Sequence, residues 1–360
     1  MPKLNLALLI IVLAALPAWA NDSAASVATG GIVQKREVRI AMQKERLTIS
    51  QTKVTVEYEF LNDTDQDVTT EVAFPIPRYD PCDMTSAGGP TPFDDFKLWV
   101  EGELVAYKTE AKAILNGKDV SALASKYHLD IPSGGHCIDV VDPKSHTDSA
   151  HVPDIEKLSA IDQHKLIENG LVSKPNDIYA GQLALWQVDK QYHWQQTFPA
   201  HRTIHIRHEY KPAVGFSGVS RKELEPLLFK QSLKADIGQR QTDSLDRYPS
   251  SEDVKNEIRG TCVDKNLYEA LGRHIEPNKE NGDWIEFMWV DYILTTANTW
   301  KTPIHDFQMI VERPPVDSIG KYLVTFCWDG PIQKIDTNRF SVQQKDFVPT
   351  KEMHVGFFRY

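Results

Sequence analysis

Apolar and polar residues alternate through the segment VTVEYEFLNDTDQDVTTEVAFPIP, residues 54–77. Val56, Tyr58 and Phe60 occupy alternate positions with acidic residues between them, which is typical of a strand with one buried face. The Asn/Asp-rich stretch 62–65 predicts a turn, and the alternation then resumes as far as the phenylalanine of FPIP. We expect a hairpin whose second strand ends where the two prolines remove backbone donors.

Seven further segments with strand signals follow in the second half of the chain: QYHWQQTF, RTIHIRHEY, WIEFMWVDYIL, DFQMIVE, YLVTFCW, RFSV and EMHVGFF. Many short strands separated by turn signals predict an antiparallel β-sandwich and argue against an alternating βαβ sheet. The expected fold is therefore mainly β, a β-rich α+β chain.

Residues 109–186 show helical spacing of apolar residues in place of strand alternation. Alanine and leucine recur at helical spacing in EAKAILNGKDVSALASKYHL, with Asp119 as the expected N-cap, and DIEKLSAIDQHKLIENG predicts a second helix that starts at Asp154 and ends at Gly170. We therefore divide the mature chain into an N-terminal β portion (21–108), a helical and loop insertion (109–186) and a C-terminal β portion (187–360).

The first 20 residues, MPKLNLALLIIVLAALPAWA, have the pattern of a secretory signal peptide. Lys3 precedes an apolar run, and Ala18-Trp19-Ala20 fits an A-x-A cleavage site. The apolar run is shorter than the roughly 20 residues that span a bilayer. We expect cleavage after Ala20 and a periplasmic or secreted protein with no membrane span after cleavage.

Charge and cysteine content narrow the possible partners. The formal net charge is −10 and no basic stripe is present, so we expect no nucleic-acid partner. The four cysteines of an exported chain predict two disulfides with three possible connectivities. We favour pairing between neighbours along the chain: Cys82 with Cys137, and Cys262 with Cys327.

Histidines offer the first candidate chemistry. His136, His146 and His151 lie in a loop that also holds three aspartates, and imidazole with carboxylate can bind zinc. Their spacing matches no known zinc site, so we assign neither a metal nor a cofactor. His205 and His208 belong to a predicted strand and should point to opposite faces, with His208 as a buried structural residue.

Catalytic motifs are absent from the sequence. There is no G-x-S-x-G, no P-loop and no G-x-G-x-x-G, so we assign no catalytic residue and lean against an enzyme. Asp94, Asp95 and Asp291 are carboxylates set among aromatic residues, as a glycoside hydrolase would require. Trp186 and Trp300 lie near segment ends and are the tryptophans most open to exposure, although core packing is the simpler interpretation.

Two family resemblances give further expectations about the fold and the compartment. The segments NDSAASVATGGIV, VAFPIP, WQQTFPAHRTIHIRHEYKPAVG, YILTTANTWKTPIHDF, VTFC and DFVP resemble, in order, an exported bacterial family known only as a domain of unknown function, family 4424. That resemblance implies export, an immunoglobulin-like β architecture and no established activity. Cysteines that the family tends to have at positions 262 and 327 support pairing them. Residues 50–112 also resemble the domain shared by vault proteins and inter-alpha-trypsin inhibitors.

These observations lead to three functional hypotheses. The first is an exported β-sandwich protein that acts as a binding or structural component of the cell envelope, with an envelope protein or a glycan as its partner. The second is an envelope hydrolase with an unrecognised carboxylate and histidine site, for which glycans are one candidate substrate class. The third is a metal-binding protein that uses the His/Asp loop 136–151.

Overall fold

The computed structural model describes residues 22–28, 31–82, 94–136, 154–174, 182–220, 224, 251–274, 284–315 and 320–360. Within these ranges the strands are Ser23–Ala28 (β1), Gly31–Gln34 (β2), Ile40–Ile49 (β3), Val54–Asn62 (β4), Val68–Pro75 (β5), Asp94–Val100 (β6), Glu103–Leu104 (β7), Lys108–Leu115 (β8), Lys118–Asp119 (β9), Gln187–Phe198 (β10), Arg202–Lys211 (β11), Gly215–Ser220 (β12), Trp284–Tyr292 (β13), Ile304–Glu312 (β14), Tyr322–Phe326 (β15), Gln333–Lys334 (β16), Arg339–Phe347 (β17) and Met353–Arg359 (β18). The helices are Ser121–Lys126 (α1), Ala160–Glu168 (α2), Ser251–Gly260 (α3) and Lys265–His274 (α4), with a 3-10 helix at Thr295–Thr299.

The described strands form three sheets. Eight strands pair in the order β16-β17-β14-β3-β4-β11-β6-β7, six in the order β2-β1-β5-β10-β8-β9, and four in the order β12-β13-β18-β15. The mainly β fold is therefore confirmed. Strands from the N-terminal and C-terminal β portions share the two larger sheets, so both portions contribute to one sandwich.

One apolar core joins the three sheets. It contains Tyr58 and Phe60 of the eight-stranded sheet, Phe74 and Trp194 of the six-stranded sheet, and Tyr292 and Phe357 of the four-stranded sheet. Full burial of a large apolar side chain contributes about 1.5–3 kcal/mol, so these side chains are a main source of stability. The eight-stranded sheet thus packs one face against two smaller sheets.

Both predicted strands are present as β4 and β5, but the expected hairpin was wrong: β4 pairs with β3 and β11 in the eight-stranded sheet, whereas β5 pairs with β1 and β10 in the six-stranded sheet. Alternation shows which face of each strand is buried, and here the two buried faces meet across the core from different sheets. Val56, Tyr58 and Phe60 are buried, and their polar neighbours in the strand are partly or fully exposed. Phe74 is fully buried, and β5 ends at Pro75. The FPIP tail therefore closes a core strand, as the missing proline donors predict.

One strand pair differs from the expected antiparallel arrangement. β3 and β14 run parallel, whereas the other strand pairs within the described residues are antiparallel. These two strands are about 260 residues apart, so no hairpin fixes their direction. The sequence pattern gives the faces of a strand but not the direction of its partner, which is why the expectation was wrong here.

The helical insertion is smaller than its sequence suggested. Residues 108–115 form strand β8, which pairs with β10. Alanines at 111 and 113 fit a period of two as well as helical spacing, and pairing with a neighbouring strand decides between them. Helix α1 begins at Ser121 with Val120 as N-cap, and Asp119 accepts a hydrogen bond from the Ser121 backbone N–H at 2.9 Å.

The second predicted helix is also shorter than expected. It begins at Ala160 instead of at Asp154, because the Ser159 side chain caps it by accepting from the Asp162 backbone N–H. Gly170 follows its end with a φ of 68°, as predicted for a left-handed terminus. Ile161 is 69% exposed and does not belong to the buried face.

Helices α3 and α4 cover the outer face of the four-stranded sheet. Val254 and Ile258 of α3 and Leu267 and Leu271 of α4 pack with Phe287 and other residues of that sheet. The Cys262–Cys327 disulfide ties the segment between the two helices to the end of β15. That pairing is confirmed. Cys82 is disulfide-bonded as well, and its expected partner, Cys137, lies outside the described residues. No helix within the described ranges is long and apolar enough to cross a membrane.

Candidate functional site: a groove on the outer face of the eight-stranded sheet

The outer face of the eight-stranded sheet carries charged residues on four neighbouring strands. Because strand side chains alternate between faces, burial of Tyr58 and Phe60 in β4 turns Glu57 and Glu59 outward. Strand register then aligns two rows of neighbours: Trp99, Arg207, Glu57 and Arg46 in one, and His205, Glu59 and Lys44 in the other. The sheet thus presents a continuous polar surface with a tryptophan at one end.

A groove of about 390 Å³ lies over these rows. Its lining residues are Lys44, Arg46, Glu57, Tyr58, Glu59, Trp99, Gly102, His205, Ile206 and Arg207. The half-buried Trp99 ring packs against the Arg207 guanidinium, whose carbon lies 4.6 Å from the ring centroid. A cation held at this distance over an indole stabilises both side chains, so the ring is fixed in place.

Ion pairs hold the charged side chains of the groove. Lys44 Nζ lies 2.6 Å from Glu59 Oε1, and Arg46 Nη2 lies 2.6 Å from Asp306 Oδ2. The hydrogen bond from Arg46 holds the pKa of Asp306 below its usual value. Arg207 Nη2 contacts Glu209 Oε2 at 2.6 Å. Because each of these cations already has an acidic partner, the surface suits a neutral polar ligand better than a strongly charged one.

The two histidines of HIRH point to opposite faces, as predicted. His205 lines the groove, and its Nδ1 lies 3.2 Å from Glu101 Oε1. His208 is fully buried, and its Nε2 lies 2.8 Å from Oδ1 of Asp22, which is also fully buried. Burial raises the pKa of Asp22, an effect that His208 opposes. His208 is therefore a core residue and His205 a candidate ligand contact.

The candidate metal loop is described only at its start. His136 Nδ1 lies 2.9 Å from Asp154 Oδ2, and Lys157 contacts the other oxygen of the same carboxylate. His146 and His151 lie outside the described residues. The metal hypothesis for loop 136–151 therefore stays a prediction.

The carboxylates selected from the sequence occupy separate places. Asp95 contacts Lys97 at 2.8 Å beside β6, whereas Asp291 of β13 lies 2.6 Å from His354 Nδ1 in another sheet. The side chain of Asp94 lies outside the described set. Asp291 thus finds a cross-strand partner, and the structure does not bring it together with Asp95 or His136.

The tryptophans differ in whether they are buried in the core or line the groove. Trp186 and Trp300 are buried, and the Trp300 Nε1–H donates to the Asp22 carbonyl at 2.6 Å. Core packing, the simpler interpretation of the sequence, therefore holds for both, and neither is open to solvent. Trp99, for which the sequence pattern predicted no role, faces the groove. Its outward orientation could have been predicted from FKLWV, because Phe96 and Leu98 are buried and side chains alternate along the strand, which places Trp99 on the opposite face.

Comparisons with known proteins bear mainly on the family. A search of the curated proteins finds no match. One similar solved structure is a proposed nutrient binding protein from Legionella pneumophila, with 12% identity and a TM-score of 0.41 over 94% of this chain and 70% of that chain. Another is a mutant two-domain M1 zinc metallopeptidase bound to L-tryptophan, with 8% identity and a TM-score of 0.20 over 90% of this chain and 44% of that chain. Neither similarity is close enough to indicate an activity.

The family model gives a clearer result. A model described as "Domain of unknown function (DUF4424)" matches residues 20–355. The resemblance of residues 50–112 to the vault and inter-alpha-trypsin domain stays a prediction. Since the match spans nearly all of the sequence after the expected cleavage site, the chain belongs to the DUF4424 family.

Proposed function

We propose that this protein is an exported binding protein of the bacterial cell envelope, and that its ligand is a glycan bound in the groove over Trp99. The observation that carries this proposal is a half-buried tryptophan held by Arg207 inside a groove whose other walls are hydrogen-bonding side chains. The apolar face of a sugar ring packs on an indole, and its hydroxyl groups need donors and acceptors at the ring edge.

Size and charge of the groove support this ligand class. A volume of about 390 Å³ is at the lower end of the range for small-molecule sites, about 300–1,000 Å³, and suits one or two sugar rings. The paired charges of Lys44 with Glu59 and of Arg46 with Asp306 leave little net charge for an ionic ligand to neutralise. A neutral oligosaccharide fits this balance.

The compartment follows from the leader sequence and the cysteines. Residues 1–20 predict export, and the Cys262–Cys327 disulfide is the kind of bond that persists in oxidising compartments. An exported protein would meet envelope glycans in that compartment. The proposal therefore places ligand and protein in the same compartment.

Substitution of Trp99 tests the proposal. We expect mature wild-type protein to co-sediment with purified peptidoglycan or another envelope polysaccharide, and Trp99→Ala to weaken this binding at least about tenfold, because aromatic anchors contribute about 2 kcal/mol or more to an interface. Trp328→Ala is the matched control, since Trp328 is also a partly exposed tryptophan but lies outside the groove.

Two outcomes would contradict the proposal. One is equal binding by wild-type protein and Trp99→Ala, which would place the ligand elsewhere. The other is failure of the wild-type protein to bind any envelope polysaccharide while it captures an envelope protein through the same face.

A further inference from the structure

Three side chains with metal-ligating atoms meet between helix α3 and the four-stranded sheet. They are Glu257 of α3, Asp291 of β13 and His354 of β18, and one ligand-type atom of each lies within 4.8 Å of those of the other two. Asp291 and His354 are directly opposite in the antiparallel pair β13–β18. Their Oδ1 and Nδ1 atoms are 2.6 Å apart.

The second ring nitrogen of His354 is the unusual feature of this cluster. The residue is only 4% exposed, and within the described structure its buried Nε2 atom has no hydrogen-bond partner. Buried polar atoms almost always have a partner, and an exception indicates either strain or a missing ligand. Gly260 packs beside the ring, where a Cβ atom would lie 3.5 Å from Cγ of His354.

The elements that carry the cluster are fixed to one another. The Cys262–Cys327 disulfide holds the segment after α3 against the sheet. Gly356 of β18 permits close contact with the turn at Thr261, because a Cβ atom at position 356 would lie only 2.9 Å from Cγ2 of Thr261. Glu257 therefore approaches Asp291 and His354 from a restrained helix, as a binding site requires.

An ion pair between protonated His354 and the two carboxylates is the simplest alternative. Burial alone lowers the pKa of His354, but Asp291 more than offsets it, with Glu257 and Glu352 adding to the effect, so the pKa is raised. Protonation accounts for the Asp291 contact, yet it leaves the Nε2 atom buried without an acceptor. A cation bound at Nε2 would satisfy that nitrogen while Asp291 keeps its contact with Nδ1.

We propose that His354 Nε2 and Glu257 bind a divalent transition-metal cation such as zinc or manganese. An imidazole and a carboxylate are donors that suit these ions, with water completing the coordination. Asp291 holds the ring through Nδ1, which is how carboxylates commonly orient a ligating histidine. This site lies in a different sheet from the glycan groove. The metal proposal therefore does not depend on the proposed function, and each can be tested separately.

Metal binding to the mature protein tests the site. After removal of metal with a chelator, we expect wild-type protein to retain about one equivalent of zinc or manganese through gel filtration. At a free metal concentration of about 100 times Kd, the midpoint of thermal unfolding should rise by about 3–6 °C. Glu257→Gln should lose both effects, and this half-buried helix position allows the variant to fold.

Two controls make the result specific. Asp346→Asn removes the acidic partner of His305, another histidine–aspartate pair, with 59% and 71% of its side chains exposed, and it should retain full metal stabilisation. His146→Ala combined with His151→Ala should retain it as well, because these residues belong to the other candidate loop. The proposal is overturned if the wild-type protein shows no metal-specific shift, if Glu257→Gln keeps the shift, or if only the loop variant loses it.

Discussion

Asp22→Ala should lower the free energy of unfolding by about 1–3 kcal/mol, the cost of leaving a buried polar group without its hydrogen-bond partner. Asp22 and His208 are both fully buried, and aromatic rings of Tyr58, Phe74 and Trp194 surround the imidazole. Without Asp22, the buried ring would lose its described hydrogen-bond partner. Urea unfolding of the mature protein, followed by tryptophan fluorescence, measures the difference.

Two further variants separate this effect from general damage to the strand. Asp346→Asn removes the charge of the exposed partner of His305 and should cost less than about 1 kcal/mol, since asparagine tolerates the left-handed backbone at this position. Asp22→Ala combined with His208→Phe should recover part of the loss, because replacing both polar partners by apolar groups is much less costly than leaving one unpaired. A loss for Asp22→Ala no larger than that for Asp346→Asn would show that the buried pair does not stabilise the fold.

Removal of the Cys262–Cys327 disulfide should have the second large effect. The cysteines are 65 residues apart, and a crosslink of that span stabilises by about 4 kcal/mol in the chain-entropy model. We expect the Cys262→Ala/Cys327→Ala variant to lose about this amount in urea unfolding. It should also lose the proposed metal site, because the segment after α3 is then no longer tied to β15.

The corresponding double serine variant is the control for local packing. Equal losses with alanine and serine indicate that the bond itself stabilises the protein, whereas a much larger loss with serine would indicate the cost of burying hydroxyl groups. A loss below about 1 kcal/mol in both variants would contradict the prediction and show that the packing of α3 and α4 on the sheet is sufficient.

Much of the fold could be predicted because strand alternation is a local property. The strands β4 and β5, the burial of His208 and the Cys262–Cys327 pairing agree with the sequence predictions. The predicted hairpin does not form, because β4 and β5 enter different sheets. The parallel pairing of β3 with β14 could not be predicted, since it joins strands with no short connection between them. Helix α3 was missed, although Val254 and Ile258 are spaced by four residues and share its buried face.

The candidate site was harder to predict for a related reason. Trp99 could be assigned to the outer face because it alternates with the buried Phe96 and Leu98, but its contact with Arg207 depends on the pairing of β6 with β11. Glu257 meets Asp291 and His354 only after α3 packs on the four-stranded sheet. Two segments that carry the family resemblance, DSAAS (22–26) and TANTW (296–300), meet in the core, where the Trp300 Nε1–H donates to the Asp22 carbonyl. They therefore specify the fold and not the ligand.

The most direct test of the binding proposal uses the indole N–H groups as separate reporters. The chain has eight tryptophans, of which Trp19 lies in the predicted signal peptide. With 15N-tryptophan labelling, mature protein should show a saturable shift of the Trp99 resonance, assigned with Trp99→Ala, on titration with N-acetylglucosamine oligomers and peptidoglycan fragments. Resonances of buried Trp186 and Trp300 should stay in place. If none of these glycans moves the Trp99 resonance, or if another tryptophan responds instead, the groove is not the glycan site.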